Sequence, residues 1–523
     1  MRHSESQSLS RRHVLRWVGL IAGGGAATVA LAACGGTTAT ATGSVATTAS
    51  AAPSVATSAV ASTTQAASAS AGAVTTSAKA ASTALSAATT SAAAATSAAA
   101  APTPAVGESR KGAATTVELW LNWGGDVQAS MQGLADAMAK QLPDFNVAWL
   151  TSSGNATKLP AAIAAGTPPD VASGGVAYPE FWAKGAATPI DDLLAKSTVI
   201  DKSDIPAPAW LYASYKGKTY GVPGIEAFTR YGLLLDMTNL EKFGVDAKTL
   251  SWDWDTLTQL QQQATVKDGA GNIQVLGIDP LSEDATFGAC SFFAQAWGTQ
   301  YFDEKNFTYN FDNAQLAEAM TTVKKLYDLV GGPGAVDKWR KQNAQWVAST
   351  KAAIPAGTQN MSIIGYFAPG QVASFAPNRK FAFTWPAVPA SKKGYKFQTV
   401  GSHNLLIPAG SKHVPEAFQL MGFLIGDTAE QVLFDHSGFL GARNSFLKKV
   451  DTSKYPGLDF YFQSVQNADN VAGPLPDPVQ SYSATTWTST LNDVLAGKAQ
   501  PADALKQLQQ QVTTEYHQRF PNG

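Results

Sequence analysis

The sequence predicts an α/β fold. Three observations carry this. From Thr116 to Val171 strand-type alternation and helix-type periodicity follow one another, the signature of a mostly parallel sheet covered by helices. The same alternation resumes over a longer stretch beyond residue 226. Between the two lies Lys216-Gly217-Lys218-Thr219-Tyr220-Gly221-Val222-Pro223-Gly224-Ile225-Glu226. Here glycines loosen the backbone, Pro223 fixes one torsion, and Tyr220 and Val222 favour a strand. Such a segment suits a chain passing between two lobes, or a surface hairpin within one domain.

Taken in order, the chain of 523 residues starts with an export signal. Ser10-Arg11-Arg12-His13-Val14-Leu15-Arg16 is a basic n-region with a twin-arginine pattern. Trp17 to Ala33 is apolar but broken by glycines, and short for a span that needs about 20 apolar residues. Leu31-Ala32-Ala33-Cys34 resembles a bacterial lipobox, in which small residues precede the cleavage point and the new terminal thiol takes a diacylglycerol. Residues 1–33 are therefore expected to be removed and Cys34 to be lipidated. Acyl chains contribute about 0.8 kcal/mol per buried CH₂, so two or more hold the protein to the membrane.

Removal of Arg2, Arg11, Arg12, Arg16 and Glu5 takes four from the 38 basic and one from the 39 acidic side chains, leaving a net charge of −4. With no dense basic runs, nucleic acid is excluded as a partner. Cys290 is left without a cysteine partner, and reads as a small buried apolar residue.

Residues 34–115 are the cysteine expected to be lipidated, followed by a stretch almost wholly of Ala, Ser, Thr, Gly and Val, with no aromatic residue. This composition buries too little to offset its ordering entropy, so a disordered tether is expected. About 80 such residues reach roughly 50 Å on the random-coil rule.

The globular part opens at Thr116-Val117-Glu118-Leu119-Trp120-Leu121, a strand. A helix follows with Val127, Met131, Leu134, Ala135, Met138 and Leu142 on one face, stopped by Pro143. Phe145 to Leu150 is the next strand, Ala161 to Ala165 a helix end, and Val171 enters a third strand. Ligands of such sheets sit beyond the carboxyl ends of the strands. That nominates three loops: Asn122 to Asp126, Thr151 to Asn155 and Ala172 to Tyr178, with Trp123, Asp126, Asn155 and Ser173 as candidates. Trp123 could stack on a sugar ring or roof the core.

Beyond residue 226, Trp252-Asp253-Trp254-Asp255 caps a helix that runs through Gln263, and Asn272 to Gly277 is a strand. Phe287 to Trp297 reads as an apolar helix. Leu316, Met320, Val323, Tyr327 and Val330 share a face of an amphipathic helix ended by Gly331-Gly332-Pro333. A helix from Pro415 through Ile425 has proline in its first turn.

The stretch 216–223, with Tyr231 and Ser251-Trp252-Asp253, resembles the first inter-lobe crossover of extracellular solute-binding proteins, in the branch that contains the maltose-binding protein. That family usually reads G-K-x-Y-G-x-P, a tyrosine-asparagine pair, then Thr-Trp. Here Tyr231-Gly232 and Ser251-Trp252 depart from it. Gly166-Thr167-Pro168-Pro169-Asp170-Val171 matches its G-x-x-P-D-V. The resemblance covers roughly residues 116–523.

It implies a two-lobe periplasmic-binding-protein fold with a ligand cleft between the lobes. Lobe 1 would hold 116–223 and about 395–440, lobe 2 about 224–394 and 441–523. Further crossings are implied at Phe381 to Pro389 and at Phe439 to Arg443, and a strand rejoining lobe 1 at Gly401 to Pro408. Two closing helices are implied at Leu491 to Gly497 and Pro501 to Val512. The resemblance places Glu226, Trp297, Thr358, Gln359, Asn360, Trp385 and His403 near the ligand. It implies no cofactor, a monomer, and ATP-binding-cassette (ABC) permease subunits as partners, at the outer face of the bacterial cytoplasmic membrane.

Three functions follow as alternatives. The first is a lipid-anchored receptor for a sugar, with a polyamine as another solute. The second is a glycan-acting enzyme using Asp126 and Glu226, which needs two carboxylates about 5–10 Å apart. The third is a surface structural protein. The motifs for phosphate-binding loops, zinc hydrolases and serine hydrolases are absent, and His403, His413, His436 and His517 lack metal-ligand spacing. The twelve tryptophans that follow Trp17 favour a carbohydrate.

Overall fold

The computed structural model describes residues 107–521 except 109–112, 123–125, 152–153, 282–289, 345–346, 348 and 402. The expected signal peptide, Cys34, tether and Trp123 lie outside the described residues.

The chain begins with β1 (Gly107–Glu108) and β2 (Thr116–Leu121), then α1 (Asp126–Gln141), β3 (Asn146–Leu150), α2 (Asn155–Ala165) and β4 (Val171–Ser173). Alternation makes β2: Val117, Leu119 and Leu121 are wholly buried. The stripe Met131, Leu134, Ala135 and Met138 seats α1 on the same core. A short strand, β5 (Gly221–Pro223), completes this part.

The second part holds β6 (Gly232–Asp236), α3 (Trp254–Ala264), β7 (Ile273–Ile278), α4 (Ser291–Trp297), α5 (Ala314–Val330), β8 (Gln359–Ile364) and β9 (Phe381–Thr384). Asp253 caps α3 by accepting from the Thr256 N–H at 2.9 Å. After β10 (Phe397–Thr399) the chain returns as β11 (Asn404–Leu406), α6 (Val414–Leu424) and α7 (Asp427–Ser437). It ends with α8 (Leu458–Asn467), β12 (Asn470–Ala472), α9 (Gln480–Leu495) and α10 (Pro501–Arg519).

Two sheets result. The first has the order β1-β3-β2-β4-β11-β5; β2 is parallel to β3 and β4, and β11 enters antiparallel between β4 and β5. The second is β9-β6-β8-β7 with the edge pair Val266–Lys267; β7 and β8 are parallel, β6 is antiparallel to β8 and β9. Each sheet has its own core. One is built from Leu119, Met138, Val147, Leu405 and Met421, the other from Leu235, Leu276, Val323, Trp487 and Leu508.

Two stretches of chain pass between the sheets side by side, with a third segment packed against them. Gly224 to Tyr231 runs against Val400 to His403: Arg230 N–H donates to Thr399 O at 2.8 Å, Gly401 N–H to Phe228 O at 3.0 Å, and His403 N–H to Glu226 O at 2.9 Å. Ala227 N–H then donates to Leu440 O at 3.0 Å, bringing in the third segment.

Two expectations are corrected. Residues 214–219 are a surface hairpin, Ser214–Tyr215 paired with Lys218–Thr219. Its two-residue turn, Lys216 at φ 45° and Gly217 at φ 77°, has the left-handed backbone of a tight hairpin. The passage between sheets starts only at Gly224, so both readings of this segment are right for different parts of it. The second passage is not at 381–389. Phe381–Thr384 is an edge strand, and Val388 stays with the second lobe by donating to Trp252 O at 3.1 Å and accepting from Trp254 N–H at 3.0 Å. An edge strand and a crossing strand have the same composition, and only the partner separates them.

Candidate functional site

The cleft between the sheets holds a cavity of about 420 Å³. Gly175 to Tyr178, Tyr212 and His403 line it from the first lobe. Arg230, Tyr231, Thr399 and Gly401 line its floor from the passages, and Ser291, Gln480 and Ser481 line it from the second lobe.

The loop after β4 reaches the cavity because β4 ends there, as strand direction dictates. Asn155, wholly buried at the start of α2, supports that loop from beneath: its amide donates to Ser173 O at 3.0 Å and Gly174 O at 3.2 Å. Ser173 is also wholly buried, its hydroxyl donating to His403 O at 3.4 Å. Both candidates therefore hold the wall and do not form its surface. Tyr178 does line the cavity; its hydroxyl accepts from Gly174 N–H at 2.7 Å and donates to Asn404 O at 2.9 Å. Burial raises its pKa, so it stays a neutral phenol.

The floor is charged. The buried Glu226 carboxylate bonds the Arg230 guanidinium at 2.9 Å through one oxygen, and through the other meets His403 Nδ1 at 3.0 Å. Burial lowers the His403 pKa, against the pull of Glu226 and with the help of Arg230, so the ring is neutral at neutral pH. Both carboxylate oxygens are thus engaged within the floor, and Arg230 and His403 line the cavity.

Other expected site residues lie elsewhere. Trp297 is 2% exposed in the second core, stacked on Trp254 with ring centroids 5.9 Å apart. Gln359 starts β8, wholly within the sheet, and donates to Met361 O at 2.7 Å. Thr358 bonds Asn343, and Asn360 bonds Ala264 O and Asn239. All three sit at the beginning of a strand whose other end, Ile364 and Gly365, leads to the passages; Tyr366 N–H donates to Thr229 O there at 3.1 Å. The expectation that these residues reach the ligand fails because Ala353–Ala356 is a helix and the strand starts only at Gln359, so the cleft lies at its far end. Trp385 packs edge-on against Phe460 under the Lys396 ammonium, apart from the cavity lining. Asp126 begins α1, but its side chain is outside the described residues.

Missed by sequence reasoning were Tyr178, Tyr212, Arg230, Ser291, Thr399 and Gln480. Tyr178 ends a nominated loop and Arg230 precedes Tyr231, so both stood beside a signal; Gln480 had none. Across the mouth the lobes touch. The Tyr212 hydroxyl donates to Gln480 Oε1 at 2.8 Å, Ser481 N–H donates to Glu180 Oε1 at 2.6 Å, and Tyr215 meets Phe307 edge-on at 6.0 Å. Among the described residues no group of three or more His, Cys, Asp or Glu could hold a metal ion, and no helix is long and apolar enough to cross a membrane.

The fold is that of solved two-lobe binding proteins. CpMnBP1 with mannotriose bound is 22% identical at a TM-score of 0.68, over 76% of this chain and 100% of that one. The GacH receptor of Streptomyces glaucescens, solved unliganded and with acarbose, is 21% identical at 0.61, over 78% and 99%. The maltose/maltodextrin-binding domain MalE from Bdellovibrio bacteriovorus, bound to maltotriose, is 17% identical at 0.61, over 77% and 100%. The family model for the bacterial extracellular solute-binding protein matches residues 122–431, from the end of β2 through the first two passages and into α7. With that match over more than half its length, the chain belongs to the bacterial extracellular solute-binding protein family.

Proposed function

We propose that this protein is a sugar receptor of an ABC importer, held to the outer face of the cytoplasmic membrane by a lipid on Cys34 and a tether over 35–115. Its lobes are 113–223 with 404–440, and 232–399 with 468–521. They close on the solute, and the closed form delivers it to the permease unchanged.

The observation that carries the reading is the chemistry of the cleft cavity. Its walls offer tyrosine rings, hydroxyls and amides that bond neutral polyols: Tyr178, Tyr212, Thr399 and Gln480. The charged side chains on its lining are Arg230 and, when protonated, His403. Among the described residues no carboxylate lines it, which disfavours a polyamine, and both oxygens of Glu226 are engaged by Arg230 and His403, which disfavours hydrolysis. Similar folds hold mannotriose, acarbose and maltotriose in the solved proteins above, which supports a sugar here.

Calorimetric titration with mannobiose, mannotriose, maltotriose and spermidine tests this. Saturable binding of a sugar, with the sugar recovered intact by chromatography, is expected. Binding of spermidine alone, or release of shorter sugars, would replace the proposal.

A further inference from the structure

The two lobes meet along a rim outside the cavity, and one contact there has an unusual requirement. Gly473, between β12 and α9, lies against the backbone of Pro208 in the first lobe. A Cβ placed on Gly473 would sit 3.2 Å from the Pro208 carbonyl carbon and closer still to its oxygen, nearer than side chains approach backbone. The φ of Gly473 is outside the left-handed region, so alanine would suit its backbone. The constraint is the approach of the other lobe, not local conformation.

Eight residues on, Ser481 N–H donates to Glu180 Oε1 at 2.6 Å, in the first turn of α9. The other oxygen of Glu180 bonds Lys184, one turn further along the chain, at 3.0 Å and faces the Arg519 guanidinium of α10 at 3.6 Å. Glu180 is 5% exposed with the lobes together. Neither residue lines the cavity.

We propose that Gly473 and Glu180 are the closed-state latch of the solute site: Gly473 lets the first lobe seat, and Glu180 holds it by capping α9 and meeting Arg519. Both are positioning residues that set how long a solute stays without touching it. The inference rests on the reading that the cleft closes on a solute, but not on which solute.

The test uses the full chain with Cys34→Ser, spin-labelled at Lys196→Cys and Lys248→Cys. These exposed sites lie one in each lobe, while Cys290 is buried. Inter-lobe distances are measured with and without maltotriose or mannotriose, and sugar release by stopped flow. Wild type is expected to show a compact population that Gly473→Ala removes, with release about tenfold faster, equivalent to about 1.4 kcal/mol. Glu180→Ala shifts both readouts the same way, and Glu180→Gln, which keeps the acceptor for Ser481, restores most of the effect. Wild-type distances and release in Gly473→Ala and Glu180→Ala would overturn the latch, as would a wild type with no compact population in any condition. If neither sugar binds but the compact population is present and is lost in Gly473→Ala, the latch stands and the sugar reading falls.

Discussion

Glu226 shows how one side chain joins stability to binding. Its two oxygens hold Arg230 and His403 in the floor of the cleft, and all three are largely buried. Glu226→Ala leaves a buried guanidinium without its counter-charge, so a loss of about 3–5 kcal/mol in urea unfolding is expected. Glu226→Gln, which can still accept from Arg230, should lose less. Trp297 teaches the opposite lesson. An aromatic that the family pattern points toward the ligand is here a core side chain in contact with Trp254 and Phe293. Trp297→Ala should cost about 3–5 kcal/mol of stability through the cavity it leaves. Solute affinity measured below the unfolding range should stay at the wild-type value. Residue type alone does not separate these two cases, because tryptophan serves both packing and stacking.

Elements with strong periodicity were legible. The stripe Leu316, Met320, Val323, Tyr327 and Val330 forms the buried face of α5, and the Asn313 side chain caps that helix. What periodicity does not carry is the polar group that an element needs at its end. Asp477, wholly buried before α9, accepts from Val479 N–H at 2.9 Å and from the Tyr309 hydroxyl at 2.7 Å. Burial pushes its pKa up to about 6. The folded state thus holds a proton that an unfolded aspartate releases near 3.9. The stabilisation is full below that value and is lost as pH rises through about 6, on the order of 3 kcal/mol in all. Asp477→Asn should flatten the fall in unfolding free energy between pH 4 and 6, measured by chemical denaturation across that range.

At the scale of the molecule the site exists because three distant pieces of chain run side by side: Gly224 to Tyr231, Val400 to His403 and the segment around Leu440. Close packing there leaves no room for added atoms. A Cβ on Gly401 would strike the Arg230 side chain. Gly401→Ala should therefore displace Arg230 and weaken solute binding about tenfold or more in titration, equivalent to about 1.4 kcal/mol. A change in affinity within twofold would show that Arg230 has other room. The passages were only partly legible. The first was placed a few residues early and the second about fifteen, because β9 and a crossing strand share one composition. The segment expected as the third, Phe439 to Arg443, does lie beside the first passage through Leu440, but the chain still bonds the first lobe as far as Tyr455 and reaches the second only at Tyr461.

The amino-acid sequence by itself determined the elements and the kind of fold, since alternation, periodicity and caps are short-range properties of neighbouring residues. It also marked the loop Ala172 to Tyr178, because strand direction says which end of a parallel sheet is open. Only the tertiary structure decided which side chains meet in the cleft. Tyr212 and Gln480 are 268 residues apart, and Glu226 and His403 come from two different passages. Their contact depends on how two separately cored lobes are set against each other, and no local pattern encodes a distance between residues that far apart in the chain.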